Sequence, residues 1–140
     1  AVTFPSAAQF VGLKKTTKSP TTFETLVTLV APTTTGSKIM VEASAMAGHE
    51  ESNGTVHPSR NIVYNAVITA QPPGGAETLL LAFTNLRVAH FNNNGLVMRI
   101  QFTAGNTGNY TYKFKVQYYS GDAYYLVTTV PTLSALELKK

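Results

Sequence analysis

The 140-residue sequence contains no cysteine, which excludes disulfide bonds, zinc sites built on thiolates and cysteine nucleophiles. Charged residues are also scarce, at 13% of the chain. No apolar run approaches the roughly twenty residues that a membrane-spanning helix requires. The sequence therefore predicts neither a disulfide-stabilised domain nor insertion into a membrane.

Recognisable catalytic motifs are missing as well. The sequence has no GxGxxG, P-loop, HExxH or GxSxG motif. Its only aspartate, Asp122, lies in a Ser-Gly-Asp turn, whereas a calcium loop needs several closely spaced oxygen ligands. We therefore expect no catalytic residues, no metal site and no cofactor, and we interpret the chain as a protein that is not an enzyme.

Residues that favour strands are abundant. Apolar residues make up 44% of the chain, and the many threonines, valines and tyrosines favour sheets over helices. In the strongest pattern, large apolar side chains alternate with polar ones from residue 110 onwards. Successive side chains of a strand point to opposite faces, so this segment predicts a strand whose apolar side is formed by Tyr110, Tyr112, Phe114, Val116 and Tyr118.

Other strands follow from alternation and from the turn residues between segments. Residues 38–47 and 61–69 alternate well, residues 9–13 are a short strand candidate, and residues 14–20 are predicted to be a basic loop. Pro5 is expected to end an opening strand at residues 2–4, and Pro131 to separate two strands near the end of the chain. The last strand is expected to lie within a sheet.

Two turns are predicted to close hairpins. Asn and Gly tolerate positive φ, so residues 92–95 predict a hairpin between strands at 86–91 and 96–102. Residues 120–122 predict a final hairpin between two aromatic runs. With about eight or nine strands and no amphipathic helix, the pattern is typical of a sandwich, jelly roll or barrel. We expect residues 1–140 to form one domain, with residues 1–20 as an N-terminal arm and first strand.

Loops are the expected binding surface, because loops on a rigid sandwich vary without cost to the core. The segment 48–60 holds the densest polar chemistry of the chain, and its imidazoles and carboxylates are ligand types that zinc accepts. Their spacing matches no standard metal site, so a solvated loop is the favoured interpretation. Residues 71–75 form a further candidate loop. The candidate binding residues are His49, Glu50, Glu51, Asn53, His57, Arg60, Asn92, Asn93 and Asn94.

The formal net charge is +4, and the basic residues are spread along the chain. This charge suits an acidic partner such as an anionic glycan or a nucleic acid but does not require one. A mildly basic solvated surface is the favoured interpretation, and a nucleic-acid partner is not expected.

Three segments of the sequence are distinctive in combination: Gly36-Ser37-Lys38-Ile39-Met40-Val41, Tyr112-Lys113-Phe114-Lys115-Val116-Gln117-Tyr118 and Pro131-Thr132-Leu133-Ser134-Ala135-Leu136-Glu137-Leu138. They contain a strand of the form Ser-Lys-aliphatic-x-Val, a long strand ending in a Gln-Tyr pair, and a last strand closing in Glu-Leu. In these features the chain resembles small jelly-roll modules of tailed-phage virion proteins, which often stand at the tip of a fibre. The sequence departs from fibre proteins in having no heptads, no collagen-like repeat and no triple β-spiral.

The resemblance implies an all-β, two-sheet antiparallel jelly roll, similar to the heads of tumour necrosis factor and C1q and assembled as a homotrimer. The seven phenylalanines and seven tyrosines are more than one small sandwich would readily hold, which also favours a subunit contact. On this interpretation the trimer interface contains Tyr110, Tyr112, Phe114, Val116 and Tyr118.

Three functions are compatible with the sequence. A fibre head on the virion surface would attach to a glycan or protein of the host cell. A capsid decoration protein would instead contact other virion proteins and stabilise the shell. A carbohydrate-binding module with no viral role is the third interpretation.

Overall fold

The computed structural model describes residues 2–56, 60–89 and 94–139, which form nine strands. Within these ranges no helix is long and apolar enough to cross a membrane. The strands are β1 (Val2–Gln9), β2 (Leu13–Thr17), β3 (Glu24–Thr33), β4 (Lys38–Glu50), β5 (Asn61–Gln71), β6 (Thr78–Ala89), β7 (Asn94–Thr103), β8 (Gly108–Gly121) and β9 (Tyr125–Lys139).

The strands form two antiparallel sheets. The five-stranded sheet has the order β1-β9-β4-β7, with β2 also paired to β9, and the four-stranded sheet has the order β3-β8-β5-β6. Among the described strands, β5 and β6 alone are neighbours both in the chain and in a sheet. Most connections therefore cross from one sheet to the other, as in a jelly roll. The predicted all-β, two-sheet antiparallel jelly roll is confirmed.

Both predicted hairpins are wrong. β6 and β7 belong to different sheets, and so do β8 and β9. Neither pair of strands therefore forms a hairpin, and the chain continues in the other sheet after β6 and after β8. Residues 92 and 93 lie outside the described part of the chain. Turn residues show where a chain reverses, but they do not show which sheet it continues in.

The prolines do not end strands as expected. Pro5 lies inside β1, which pairs with β9 alone among the described strands, and an edge position tolerates the missing N–H of proline. Pro131 lies inside β9 at a bulge, where the register against β4 shifts between Ser44 and Met46. The neighbouring Val130 has a φ of 43°, a conformation that costs a β-branched residue about 1–3 kcal/mol.

The beginning of the chain also differs from the prediction. Residues 10–12 interrupt the expected strand at 9–13, and β2 occupies most of the expected basic loop at 14–20. β1 and β2 pair with successive parts of β9, so together they form one interrupted edge strand. The prediction that the last strand lies within a sheet is confirmed, because β9 pairs with β1 and β2 on one side and with β4 on the other.

The core lies between the two sheets, and the predicted alternation is confirmed. The inward side chains of β4 are buried at every second residue from Ile39 to Ala47. Rings from β7 and β8 fill one part of the core, where Phe102 packs edge-on against Tyr112 with ring centroids 6.3 Å apart. Elsewhere Tyr118 donates a hydrogen bond to the carbonyl of Ala123 at 2.5 Å, and burial raises the pKa of its phenol to about 12.

The expected interface residues lie in this core. Each is at most 4% exposed and is covered by the two sheets of a single chain. The expectation that they form the trimer interface is therefore wrong, because no surface of theirs remains for a second subunit. The residues that belong to the core instead of the interface are Tyr110, Tyr112, Phe114, Val116 and Tyr118.

Strand directions place the candidate loops at two different ends. Three strands end at one end of the sandwich, namely β2, β4 and β8, and three begin there, namely β3, β5 and β9. The pairing of Glu50 with Tyr125 and of Ile62 with Gly121 shows this arrangement. We call this end the loop end; its described connections are residues 18–23, 51–56, 60 and 122–124. The connection between β6 and β7 also starts and ends here, whereas the candidate loop at 71–75 lies at the opposite end.

Candidate functional site

A recess of about 500 Å³ opens at the loop end between three connections of the chain. We call it the loop-end recess. It combines both signs of charge, hydroxyl groups and an aromatic ring. The lining residues are Thr17, Lys18, Glu51, Ser52, Arg60, Asp122, Ala123 and Tyr124.

Glu51 ties two of these connections together. One carboxylate oxygen accepts a hydrogen bond from Nε of Arg60 at 2.7 Å, and the other accepts one from the backbone N–H of Tyr124 at 3.0 Å. The bond from Tyr124 is the main cause that lowers the pKa of Glu51, and Arg60 adds to it. The carboxylate is thus held in its charged form and fixes Tyr124 in place.

Asp122 fixes the neighbouring connection. Its Oδ1 accepts a hydrogen bond from the backbone N–H of Asn61 at 2.8 Å, and this bond lowers the pKa of Asp122. Its Oδ2 lies 3.9 Å from Nη1 of Arg60. Lys18 completes the rim by donating a hydrogen bond from Nζ to the carbonyl of Gly121 at 3.0 Å. The polar groups of the recess are therefore positioned before any ligand arrives.

These pKa shifts predict how stability depends on pH. A lowered folded-state pKa contributes stability above the unfolded-state pKa, and that contribution is lost as the pH falls through the folded value. Between about pH 5 and about pH 3 the wild-type melting temperature should fall. The double variant Glu51→Gln/Asp122→Asn should start lower at neutral pH and fall less over the same range. Differential scanning calorimetry measures both.

The control for this experiment is Ser52→Ala, which alters the recess without removing a titrating group. It should keep the pH dependence of the wild type. An equal fall in wild type and double variant would show that the two carboxylates do not carry the acid sensitivity.

Two of the sequence-predicted binding residues, Glu51 and Arg60, line the loop-end recess. Glu50 ends β4 and forms an ion pair with Lys15 at 2.5 Å. His49 lies within β4 and is buried, so its assignment to an exposed loop is wrong. His57 lies outside the described residues, and the described residues contain no group of three or more His, Cys, Asp or Glu that would hold a metal ion.

Two of the candidate asparagines, Asn53 and Asn94, form hydrogen bonds to nearby residues. Asn53 is exposed, and its Oδ1 accepts hydrogen bonds from the backbone N–H and hydroxyl of Thr55, the latter at 2.7 Å. Asn94 begins β7 and donates from Nδ2 to the carbonyl of Arg87 at 2.9 Å. Asn92 and Asn93 lie outside the described residues.

Sequence reasoning missed Lys18, Asp122 and Tyr124 as members of one site. Glu51 and Tyr124 are 73 positions apart, and they meet because β4 and β9 are neighbours in the sheet. Only a correct prediction of that pairing would have brought them together. Of the Ser-Gly-Asp segment that was predicted to be a turn, Ser120 and Gly121 are the last residues of β8, and Asp122 begins the connection to β9. The neighbours of Asp122 across the sandwich were not visible in the sequence.

A second surface of interest is the outer face of the five-stranded sheet. Five aliphatic side chains point outwards there and are each between 40% and 60% exposed. The charges on the same face include Glu42 and Arg99, which are paired with each other, Nε of Arg99 lying 2.8 Å from the carboxylate. We call the surface formed by Met46, Val97, Val130, Leu136 and Leu138 the apolar face.

Comparison with known proteins reveals similarity of fold alone. No protein-family model matches the chain, and no curated protein matches it by sequence. A chain in a structure of infectious bursal disease virus, Gx strain, aligns with 95% of this chain at 9% identity and a TM-score of 0.59. A chain of the VP2 subviral particle of the same virus aligns with 97% at 10% identity and a TM-score of 0.54.

This chain spans only about a third of those viral chains, 33% and 37% respectively. The structure of Eiger TNF from S. frugiperda aligns with 98% of this chain and 95% of its own, at 12% identity and a TM-score of 0.47. At such identities the similarity to the viral chains supports the jelly-roll fold and carries no residue-level assignment.

Proposed function

We propose that this chain is a non-enzymatic jelly-roll module on the surface of a tailed-phage virion, where it forms a homotrimeric fibre head that attaches to the host cell through its loop end. The observation that carries the proposal is the loop-end recess, in which three separate connections present fixed polar groups at one end of a rigid sandwich. Binding residues commonly lie on loops positioned in this way.

Two further observations support a viral role. Chains from structures of infectious bursal disease virus share the fold. The resemblance of three segments to tailed-phage modules, which often stand at the tip of a fibre, supports a phage virion protein, with a capsid decoration protein as the alternative to the fibre head. A glycan or protein on the host cell is the proposed partner, and other virion proteins would hold the module on the particle.

The apolar face is the proposed contact between copies of the chain. Exposed apolar patches commonly mark interaction sites. A chain with a net charge of +4 repels its own copies, so a self-contact favours a surface with few unpaired charges. On the apolar face, Glu42 and Arg99 neutralise each other, and Lys38, in register with Leu138, remains as a charge at its edge. A closed ring of copies would cover these aliphatic side chains, and the resemblance to trimeric modules sets the expected number at three.

Replacing residues 52–56 by Gly-Ser-Gly-Ser-Gly tests the attachment function. The replacement keeps Glu51 and its bonds to Arg60 and Tyr124, so the melting temperature should stay within about 3 °C of the wild type. Binding of the fluorescently labelled domain to a panel of bacterial cells, scored by flow cytometry, should be weakened, because the segment begins at Ser52, which lines the recess.

A matched control lies at the opposite end of the sandwich. Gly105 and Asn106 are exposed, and a side chain added at Gly105 meets open space, so Gly105→Ser/Asn106→Ser should leave cell binding intact. Unchanged binding of the 52–56 variant would refute the assignment of the loop end. A large drop of its melting temperature would instead assign the segment a structural role.

A further inference from the structure

We propose that the loop-end recess binds one neutral saccharide unit, holding two adjacent hydroxyl groups between Arg60 and Asp122 and stacking the sugar ring on Tyr124. This inference rests on the proposed attachment function and names the chemistry of the ligand that the recess accepts.

The charges that line the recess cancel one another. Lys18 and Arg60 contribute two positive charges, and Glu51 and Asp122 contribute two negative charges. Glu51 already uses both carboxylate oxygens, one for Arg60 and one for Tyr124. The negative charge that an incoming ligand meets is therefore that of the exposed Asp122 carboxylate, which stands beside the positive charges of Lys18 and Arg60. A ligand with no net charge meets this arrangement without repulsion.

Arg60 and Asp122 form a fixed donor and acceptor pair. The guanidinium has five N–H donors, and among the described residues one of them is used, for Glu51. The Oδ2 atom of Asp122 lies 3.9 Å from Nη1 of Arg60, whereas Oδ1 accepts the hydrogen bond from Asn61. One sugar hydroxyl can donate to Oδ2 while the neighbouring hydroxyl accepts from Arg60.

Tyr124 supplies the apolar part of the site. Its side chain is about half exposed, at 53%, while its backbone is held by Glu51. The ring packs edge-on against Tyr125 with centroids 4.6 Å apart and an interplanar angle of 74°. Tyr124 lines the recess with its backbone held and its ring in contact with Tyr125, and aromatic side chains bind ligands at low entropic cost. The C–H face of a pyranose complements the Tyr124 ring.

An acidic sugar fits this recess less well than a neutral one. The carboxylate of glucuronic acid would approach Arg60 only beside Asp122, whose side chain is 51% exposed. Like charges at this distance repel each other and offset the attraction to the cation. The recess should therefore discriminate against acidic sugars, although the chain as a whole is basic.

The test is a titration of the full chain followed by ¹H–¹⁵N NMR, with the methyl glycosides of glucose, galactose and mannose and with glucuronic acid as probes. At least one neutral methyl hexoside should shift the backbone signals of Asp122 and Tyr124, with a dissociation constant of about 1 mM as expected for a ligand of this size. Glucuronic acid should bind at least about fivefold more weakly.

Three variants assign the effect to the residues. Tyr124→Ala should weaken hexoside binding roughly fivefold or more, since the aromatic anchor is lost. Asp122→Asn should bind the hexoside less tightly, and the ratio between its affinities for the neutral hexoside and for glucuronic acid should be smaller than in the wild type. The matched control is Tyr119→Ala, because Tyr119 is similarly exposed, at 49%, and does not line the recess. Its affinity should equal that of the wild type.

The outcomes separate this inference from the attachment function. Cell binding by the wild type without a response to any neutral hexoside would leave attachment standing and refute the saccharide. A hexoside response without cell binding would support the recess as a sugar site and refute attachment. A preference for glucuronic acid, or equal loss of affinity in Tyr119→Ala and Tyr124→Ala, would overturn the proposed geometry.

Discussion

Replacing Phe114 by alanine is expected to lower the free energy of unfolding by about 3–5 kcal/mol, the range for a large aromatic side chain removed from a packed core. Phe114 is fully buried and lies on β8 opposite Val27 of β3 and Ile68 of β5. Since both neighbours are held in the same sheet, the cavity can collapse only in part. Urea unfolding at one fixed protein concentration measures the loss.

The same experiment tests whether the aromatic side chains of β8 belong to the core of one chain or to an interface between chains. Val30→Ala is the control, because Val30 is exposed on β3 and its truncation should cost roughly 0.5 kcal/mol or less. A Phe114→Ala protein with wild-type stability that dissociates on dilution would contradict the position of Phe114 in the core. Tyr112→Asp should likewise unfold the chain rather than release a folded subunit, because Tyr112 is fully buried.

Introducing a charge on the apolar face is expected to have the opposite result: loss of assembly with retention of the fold. Leu136 lies on β9 between Met40 of β4 and Pro5 of β1. Leu136→Glu would place an unpaired carboxylate in the contact of every subunit, and a buried unpaired charge costs several kcal/mol. Sedimentation velocity at micromolar concentration should show a trimer for the wild type and a folded monomer for the variant.

The matched control is Val30→Glu, which introduces the same charge on the outer face of the four-stranded sheet. It should sediment as the wild type does, and both variants should keep the circular dichroism of a β-sheet protein. A wild-type monomer would refute the proposed assembly. A Leu136→Glu trimer would show that copies meet through another surface.

The parts of the fold that were predictable are those encoded by near neighbours. Alternation assigned the buried sides of β4 and β8, because the side-chain period of a strand is a local property. The prediction at Pro131 was wrong because it used local sequence alone. The proline is accommodated by a bulge in β9, since pairing with β4 fixes the register on both sides of it. Sheet membership depends on pairing between distant segments, and residues 92–95 contain no signal for it.

The candidate site was predictable only in part. Glu51 and Arg60 were found because they lie in the longest polar segment of the sequence. Their partners Asp122 and Tyr124 belong to another connection, and no spacing rule links the two segments. The trimer interface was assigned to the most regular aromatic pattern, but strong alternation is a signature of a strand packed within its own chain. The aliphatic residues of the apolar face alternate less conspicuously, on β9.

The position of β9 has a consequence for how the chain is made. β1 and β2 are translated well before β9, yet β9 is their partner in the sheet, with Val2 in register with Lys139. On the ribosome, the five-stranded sheet stays open until the last fifteen-residue strand has emerged. The four-stranded sheet is complete once β8 has emerged. Closure of this sheet therefore has to wait for β9, and pairings so distant along the chain make folding slow. Until then, the unpaired edge of β4 is exposed to other nascent chains.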